Sequence, residues 1–196
     1  MQILRKKYGE FTDEQLMQYL SKGDKRAFDE LYARYSRAML IYFKRMLWND
    51  QEKAEDFMHD LFAKIIKKPE SFDRSRNFKT WFYSVANNMC KNEYKKQEVR
   101  KNTSYTLDTG YQIKDHQGNV EREVQESMFQ QAFEEKLEEL DEKHSEVFKL
   151  RHFDGLSIKE IAGMLGANEG TVKSRLFYAT KYLASGLQEF NPILNR

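Results

Sequence analysis

Residues 155–184 read GLSIKEIAGMLGANEGTVKSRLFYATKYLA, and this stretch decides the fold because its helix punctuation is complete. Ser157 and Glu160 form an S-x-x-E capping box, so a helix starts at Ser157. Ile158, Ile161, Ala162 and Leu165 fall at i, i+3, i+4 and i+7 and give that helix one apolar face, which Gly166 closes in a left-handed conformation. Gly166, Ala167 and Asn168 make the turn. A second helix is predicted from about Glu169 to Ala184, with Val172, Leu176, Ala179 and Leu183 inward and Lys173, Ser174, Phe177, Tyr178 and Lys181 outward. Any amphipathic hairpin of helices shares this period. Small Ala162 before the turn, where two helices must cross closely, and the donors on the exposed face favour a helix-turn-helix that enters a major groove. Lys173 can donate to guanine O6 and N7, and Ser174 can serve either base edge.

The rest of the chain reads as helices of the same kind. Thr12 and Gln15 cap a helix through about Leu20, Gly23 ends it, and Asp24 caps a long helix with Phe28, Leu31, Tyr32, Tyr35, Met39, Tyr42, Phe43 and Met46 on one stripe. After Asn49 and Asp50 a third helix carries Ala54, Phe57, Met58, Leu61, Phe62 and Ile65, and Pro69 marks its end. Phe72 to Lys79 is a polar, basic loop. A fourth helix follows, with Trp81, Phe82, Val85 and Met89 as core residues and a polar tail to Lys96. Residues 99–127 are polar, weakly periodic and rich in turn signals, and read as a flexible linker. Phe129, Phe133, Leu137 and Leu140 restart a helical stripe, continued by Val147, Phe148 and Leu150. The expected fold is all-α: a four-helix domain over 10–98, a linker over 99–127 and a helix-turn-helix domain over 128–190.

Charge is segregated although the net value is only +2. Arg74, Arg76, Lys79, Lys91, Lys95, Lys96, Arg100 and Lys101 form a basic block suited to a polyanion. Glu134, Glu135, Glu138, Glu139, Asp141, Glu142 and Glu146 form an acidic one, suited to a solvated helix face or a basic partner. Cys90 is the single cysteine, so an intrachain disulfide is excluded and a reducing cytoplasm fits. No apolar run approaches a membrane span, and MQILRKKYGEF lacks the apolar core of a signal peptide, so cytoplasmic localisation without membrane insertion is expected.

The run from Leu140, LDEKHSEVFKLRHFDGLSIKEIAGMLGANEGTVKSRLFYATKYL, resembles region 4 of sigma-70 family factors of the extracytoplasmic-function group, with TVKSRLF its most recognisable part. That resemblance implies that Thr171, Lys173, Ser174, Arg175 and Phe177 read the minus-35 promoter element. Tyr178 stands where the family commonly has a basic residue. Residues 28–96 resemble region 2 of the same family. AEDFMHDLFAKII looks like its polymerase-docking helix, which implies core RNA polymerase contacts by Asp56, His59, Asp60 and Phe62, His59 standing where Gln is usual. FDRSRNFKTWFYSVANNMCKNEYKK looks like the element that captures a base flipped from the minus-10 region. The carried-over positions are Arg74, Ser75, Arg76, Asn77, Phe78 and Lys79 in the loop, then Tyr83, Asn87, Asn88 and Lys91 on the helix. Cations that track phosphates and aromatic faces that stack on bases suit single-stranded DNA. The implied partners are core RNA polymerase, promoter DNA both duplex and single-stranded, and an anti-sigma factor; no cofactor, metal or small-molecule substrate is implied.

Two other classes compete with this one. For an enzyme, His59, His116, His144 and His152 sit in separate segments with no H-x-x-x-H or C-x-x-C, Gly110, Gly118 and Gly163 form no phosphate loop, and Cys90 lies in a helix with no nearby His. An ordinary duplex-binding regulator would explain the helix-turn-helix but has no need of the basic, aromatic loop at Phe72 to Trp81.

Overall fold

The computed structural model describes residues 7–103 and 120–190, where all regular structure is helical. The chain divides into two compact units, Met1–Tyr105 and Thr106–Arg196. The first holds α1 (Asp13–Leu20), α2 (Lys25–Met46), α3 (Gln51–Lys67) and α4 (Phe78–Thr103); the second holds α5 (Val120–Glu138), α6 (Glu142–His152), α7 (Ile158–Leu165) and α8 (Glu169–Gly186). Among the described residues no helix is long and apolar enough to cross a membrane.

Local chemistry sets the boundaries in the first unit. Thr12 and Gln15 form the reciprocal capping box of α1, and Asp24 and Asp50 accept the N–H groups of Arg26 and Lys53 to start α2 and α3. Gly23 turns the chain with φ +82°, a conformation natural to glycine. Between α2 and α3 the corner is made by Trp48 and Asn49, both left-handed at φ 55° and 59°. Such residues cost about 1–2 kcal/mol each. The Trp48 indole, half in solvent, meets Tyr94 of α4 edge-on at 5.2 Å, and the Lys53 ammonium lies 5.4 Å from its ring centre. Lys53 also pairs with nearly buried Glu93 at 2.7 Å, and this bond, more than burial opposes it, holds the Glu93 carboxyl below its usual value.

α2 supplies the centre of this unit. Leu31, Met39, Tyr42 and Phe43 are fully buried, and Leu16 and Met17 from α1, Leu61 and Ile65 from α3, and Phe82, Ala86 and Cys90 from α4 close around them. Removing one such large apolar side chain costs about 2–5 kcal/mol. Burial pushes the Cys90 thiol up to about 12, so the residue is an inert core member. On the other side of α2, Arg34 clasps the N-terminal segment: its guanidinium donates to the Tyr8, Gly9 and Phe11 carbonyls and pairs with Asp13 at 2.8 Å, while Nε donates to Glu30. Tyr35 donates to the second Asp13 oxygen, and burial with that bond raises its phenol well above the usual range.

The second unit is built on α6 and α8 around Leu137, Phe148, Ala179 and Leu183, with Phe133, Leu140 and Leu176 against them. Tyr182 donates to Glu139 at 2.6 Å and Lys136 pairs with the same carboxylate, tying α8 to α5.

Two helix ends depart from the spacing-based reading. Residues 99–103 continue α4, and residues 120–127 belong to α5; both lie within the stretch read as linker, and 104–119 fall outside the described residues. The two segments, EVRKNT at 98–103 and VEREVQES at 120–127, are rich in Glu, Arg and Gln, which favour helix but leave no apolar stripe to detect.

Glu14 of α1 accepts the Phe78 N–H at 2.9 Å and so joins α1 to the first turn of α4. Partial burial raises its carboxyl, but the Phe78 bond and other donors outweigh it and leave the group below its usual value of 4.5. The ionised form therefore stabilises the native state above about pH 4.5, and that contribution is lost as pH falls through the lowered value. Glu14→Gln should cost about 1 kcal/mol at neutral pH, a cost that shrinks as pH falls below 4.5. Both tryptophans, Trp48 and Trp81, lie in the first unit, so urea melts of the full chain followed by tryptophan fluorescence report that unit. A difference between the two proteins that stays constant with pH would refute the role of the charge.

Candidate nucleic-acid interface

In the second unit the predicted turn is present. Ser157 Oγ accepts the Glu160 N–H at 3.2 Å while Glu160 Oε2 accepts the Ser157 N–H at 2.7 Å, starting α7. Gly166 ends α7 at φ +63°, and the Ala167 N–H returns to the Ala162 carbonyl at 3.0 Å. Asn168 Oδ1 then accepts the Thr171 N–H at 2.7 Å and opens α8. Val172, Ala179 and Leu183 are buried, with Leu176 partly so. Lys173, Ser174, Phe177, Tyr178 and Lys181 are exposed, Phe177 by 63% and Tyr178 by 58%. Thr171 and Arg175, at the margins of this face, are half-buried. The outcome is a groove-sized helix face with cations, a hydroxyl and two aromatic rings.

In the first unit the basic loop is folded tightly before any ligand arrives. Asp73 Oδ1 accepts the Ser75 N–H at 3.0 Å and its hydroxyl at 2.7 Å, and the Ser75 hydroxyl bond holds the Asp73 carboxyl below its usual range. The Arg76 N–H bonds the Asp73 carbonyl, and its guanidinium lies 3.5 Å from the Asp73 carboxylate. Arg74 reaches Ser21 Oγ at 3.0 Å. Asn77 caps α4, its Oδ1 accepting both the N–H and the hydroxyl of Thr80 at 2.9 and 3.0 Å. Phe72 and Phe78 are buried beneath the loop, and Trp81, expected in the core, is partly buried at its edge against Phe72 at 5.1 Å and Phe78 at 5.9 Å. Arg74, Ser75, Arg76 and Asn77 are exposed at the surface, Lys79 is partly so, and Asn88 and Lys91 are exposed further along α4.

Four residues expected at contact surfaces lie inside instead. Phe78 is fully buried among Tyr35, Phe72 and Phe82 at 5.2–5.5 Å, and Tyr83 packs on Tyr42 at 5.5 Å. Asn87 is 2% exposed. These positions lie on the inward stripe of α4 with Phe82, Ala86 and Cys90, which the periodicity places on one face. Phe62 is likewise interior, against Phe28, Tyr32 and Phe82. The outward face of α3 carries Asp56, His59 and Asp60, all exposed, and its apolar member is Ile66, 47% exposed. The spacing His59, Ala63, Ile66 at i, i+4, i+7 was the available signal for that residue.

Comparison with known proteins agrees with these two units. A model of Sigma-70 region 2 matches residues 31–100, and one of Sigma-70, region 4 matches residues 130–183. Over 183 residues the chain is 28% identical to the RNA polymerase sigma-H factor of Pseudomonas aeruginosa, covering 90% of this chain and 94% of that protein. Over 194 residues it is 28% identical to the ECF RNA polymerase sigma-E factor of Escherichia coli, covering 95% and 98%. The fold is similar to that of CnrH solved in complex with the cytosolic domain of CnrY, with TM-score 0.64, 22% identity and coverage of 90% and 97%. It is also similar to the sigma factor RpoE solved with the anti-sigma factor NepR from Bartonella quintana, with TM-score 0.62, 23% identity and coverage of 82% and 96%.

The Asn77 cap gives the loop geometry a measurable weight. Asn77→Ala should lower the stability of the first unit by about 1 kcal/mol, the usual value of a side-chain N-cap. An unchanged urea midpoint by tryptophan fluorescence would show that the cap does not hold the loop.

Proposed function

The chain belongs to the sigma-70 family, in the extracytoplasmic-function group of RNA polymerase sigma factors, and from this we propose that it is an alternative sigma factor that directs core RNA polymerase to promoters. The observation that carries the reading is the presence, in one chain, of a helix-turn-helix and a pre-folded basic loop over buried aromatics. A duplex-only regulator uses the first and has no need of the second. The role is one of recognition and not of catalysis, and its place of work is the cytoplasm.

The two units divide the task. α8 reads minus-35 duplex through Lys173, Ser174 and Phe177, with Thr171 and Arg175 at the edge of the face. Arg74, Ser75, Arg76, Asn77 and Lys79 meet the minus-10 strand as it leaves the duplex, and Asn88 and Lys91 contact the neighbouring nucleotides. Phe78, Tyr83 and Asn87 serve these contacts from below, by fixing the loop and helix that present them. Because the loop is already ordered by Asp73, Asn77 and Glu14, little conformational entropy is lost on binding. Unstacking a base costs a few kcal/mol, so the free protein captures it poorly. Joined to one polymerase, two modest DNA contacts act together through effective concentration.

Docking on core polymerase uses the outward face of α3, where Asp56, His59 and Asp60 are exposed and Ile66, about two turns beyond His59, is the exposed apolar residue in place of buried Phe62. Its acidic character suits a basic partner. An anti-sigma factor holds the protein inactive until a signal arrives; the RpoE structure of similar fold was itself solved in complex with an anti-sigma factor, NepR. Repeated co-purification from the native cell of polymerase subunits alone would count against this partner.

Run-off transcription from native genomic fragments tests the whole reading. Defined transcripts should appear only when core polymerase and this protein are both present. Retention of duplex fragments by the protein alone, with core silent, would favour the regulator. Lys173→Ala should weaken minus-35 selection by about 1–3 kcal/mol with core binding intact. The pair Asn88→Ala and Arg76→Ala should impair strand opening more than closed-complex binding, and equal losses would remove strand capture from these residues.

A further inference from the structure

Resting on the proposed minus-35 role of α8, we infer that Tyr178 is a further specificity-determining residue. Together with Phe177, its ring reads the C5-methyl groups of thymine in the major groove.

Position is the first reason. Tyr178 stands one helical turn beyond Ser174, and Phe177 one turn beyond Lys173, so the two rings continue the lines of the two polar readers along the outward face. Both are more than half exposed, while the opposite face of α8 is buried through Val172, Ala179 and Leu183. Isolated exposed apolar residues need no explanation, but adjacent rings at the middle of a face that otherwise carries Lys173, Ser174 and Lys181 are a shaped apolar patch.

Bracing is the second. The Phe177 ring meets Tyr178 edge-on at 5.6 Å, and the His144 imidazole of α6 meets it from another element at 6.2 Å and 89°. His144 is itself positioned, with Nδ1 3.2 Å from Oδ1 of Asp141, the residue that caps α6. Edge-to-face pairs restrict a ring that would otherwise sample several rotamers, so Tyr178 is presented in a defined place.

Chemistry selects the ligand. A neutral ring cannot neutralise a phosphate and adds nothing to the salt dependence of binding. Among the groups that base edges present in the major groove, the thymine methyl is the apolar one. The cations Lys173 and Lys181 on the same face supply phosphate and guanine contacts, leaving the rings to distinguish thymine from cytosine and from unmethylated pyrimidine.

The test uses the full chain assembled with core polymerase and a promoter library randomised across the upstream element. The wild-type holoenzyme should enrich a motif with thymine at one or two adjacent positions. Replacing those thymidines by deoxyuridine, which removes only the methyl group, should weaken complex formation about four-fold per contacted position. Tyr178→Ala should lose the discrimination at the position Tyr178 contacts and keep only that due to Phe177, whereas Tyr178→Phe, which keeps the ring, should preserve it in full. Equal binding of thymidine and deoxyuridine templates by the wild-type holoenzyme would overturn the inference, as would full discrimination by Tyr178→Ala. An enriched motif without methyl sensitivity removes only the Tyr178 role; absence of any enriched upstream motif removes the minus-35 reading and the inference with it.

Discussion

Phe78 is the residue on which the first unit turns. Its N–H is held by Glu14 from α1, its ring lies among Tyr35, Phe72 and Phe82, and one residue earlier Asn77 caps the same helix. A backbone donor at the first turn of a helix lacks an intrahelical partner, and a carboxylate from a packed neighbour satisfies it while favouring the positive end of the helix dipole. The basic loop is therefore hung between a buried aromatic at each end. Its cations face solvent because its rings cannot.

The second unit uses a different constraint to similar effect. A three-residue turn leaves little freedom, and it is defined by a left-handed glycine on one side and an asparagine cap on the other. α7 and α8 are thereby fixed relative to each other before any DNA contact. In both units the surface proposed for recognition is an exposed strip on a framework whose caps and turns are hydrogen-bonded internally, an arrangement that spares binding the cost of folding the reader.

Much of this was legible in local chemistry. Thr12, Asp24, Asp50, Ser157, Gly166 and Asn168 all act where their residue types say they should, because a cap depends on neighbours two or three residues away. Phe62, Phe78, Tyr83 and Asn87 are contact residues only by the family resemblance: Phe62 already stands on the apolar stripe of α3, and Phe78, Tyr83 and Asn87 fall at helical spacing with Phe82, Ala86 and Cys90 on the inward stripe of α4. Arg34 and Trp48 gave no signal at all. Apart from Glu30 on the same helix, the partners of Arg34 lie more than twenty residues away, and the left-handed corner at Trp48 and Asn49 has no local residue-type signature. The polar helix ends beyond residue 98 and from 120 were hidden because a solvated helix has no apolar period.

The length of α4 has a mechanical consequence. Its 26 residues run without a break from the foot of the basic loop to Thr103, about 39 Å at the ordinary helical rise. That is roughly the axial length of eleven base pairs. Lys91, Lys95 and Lys96 are therefore held in a set register with the loop. One inserted residue would turn every cation beyond it by about 100°. The spacing between the loop and these cations is thus written in the helix itself, so a change of length in α4 shifts the cations relative to the loop even where every side chain is kept.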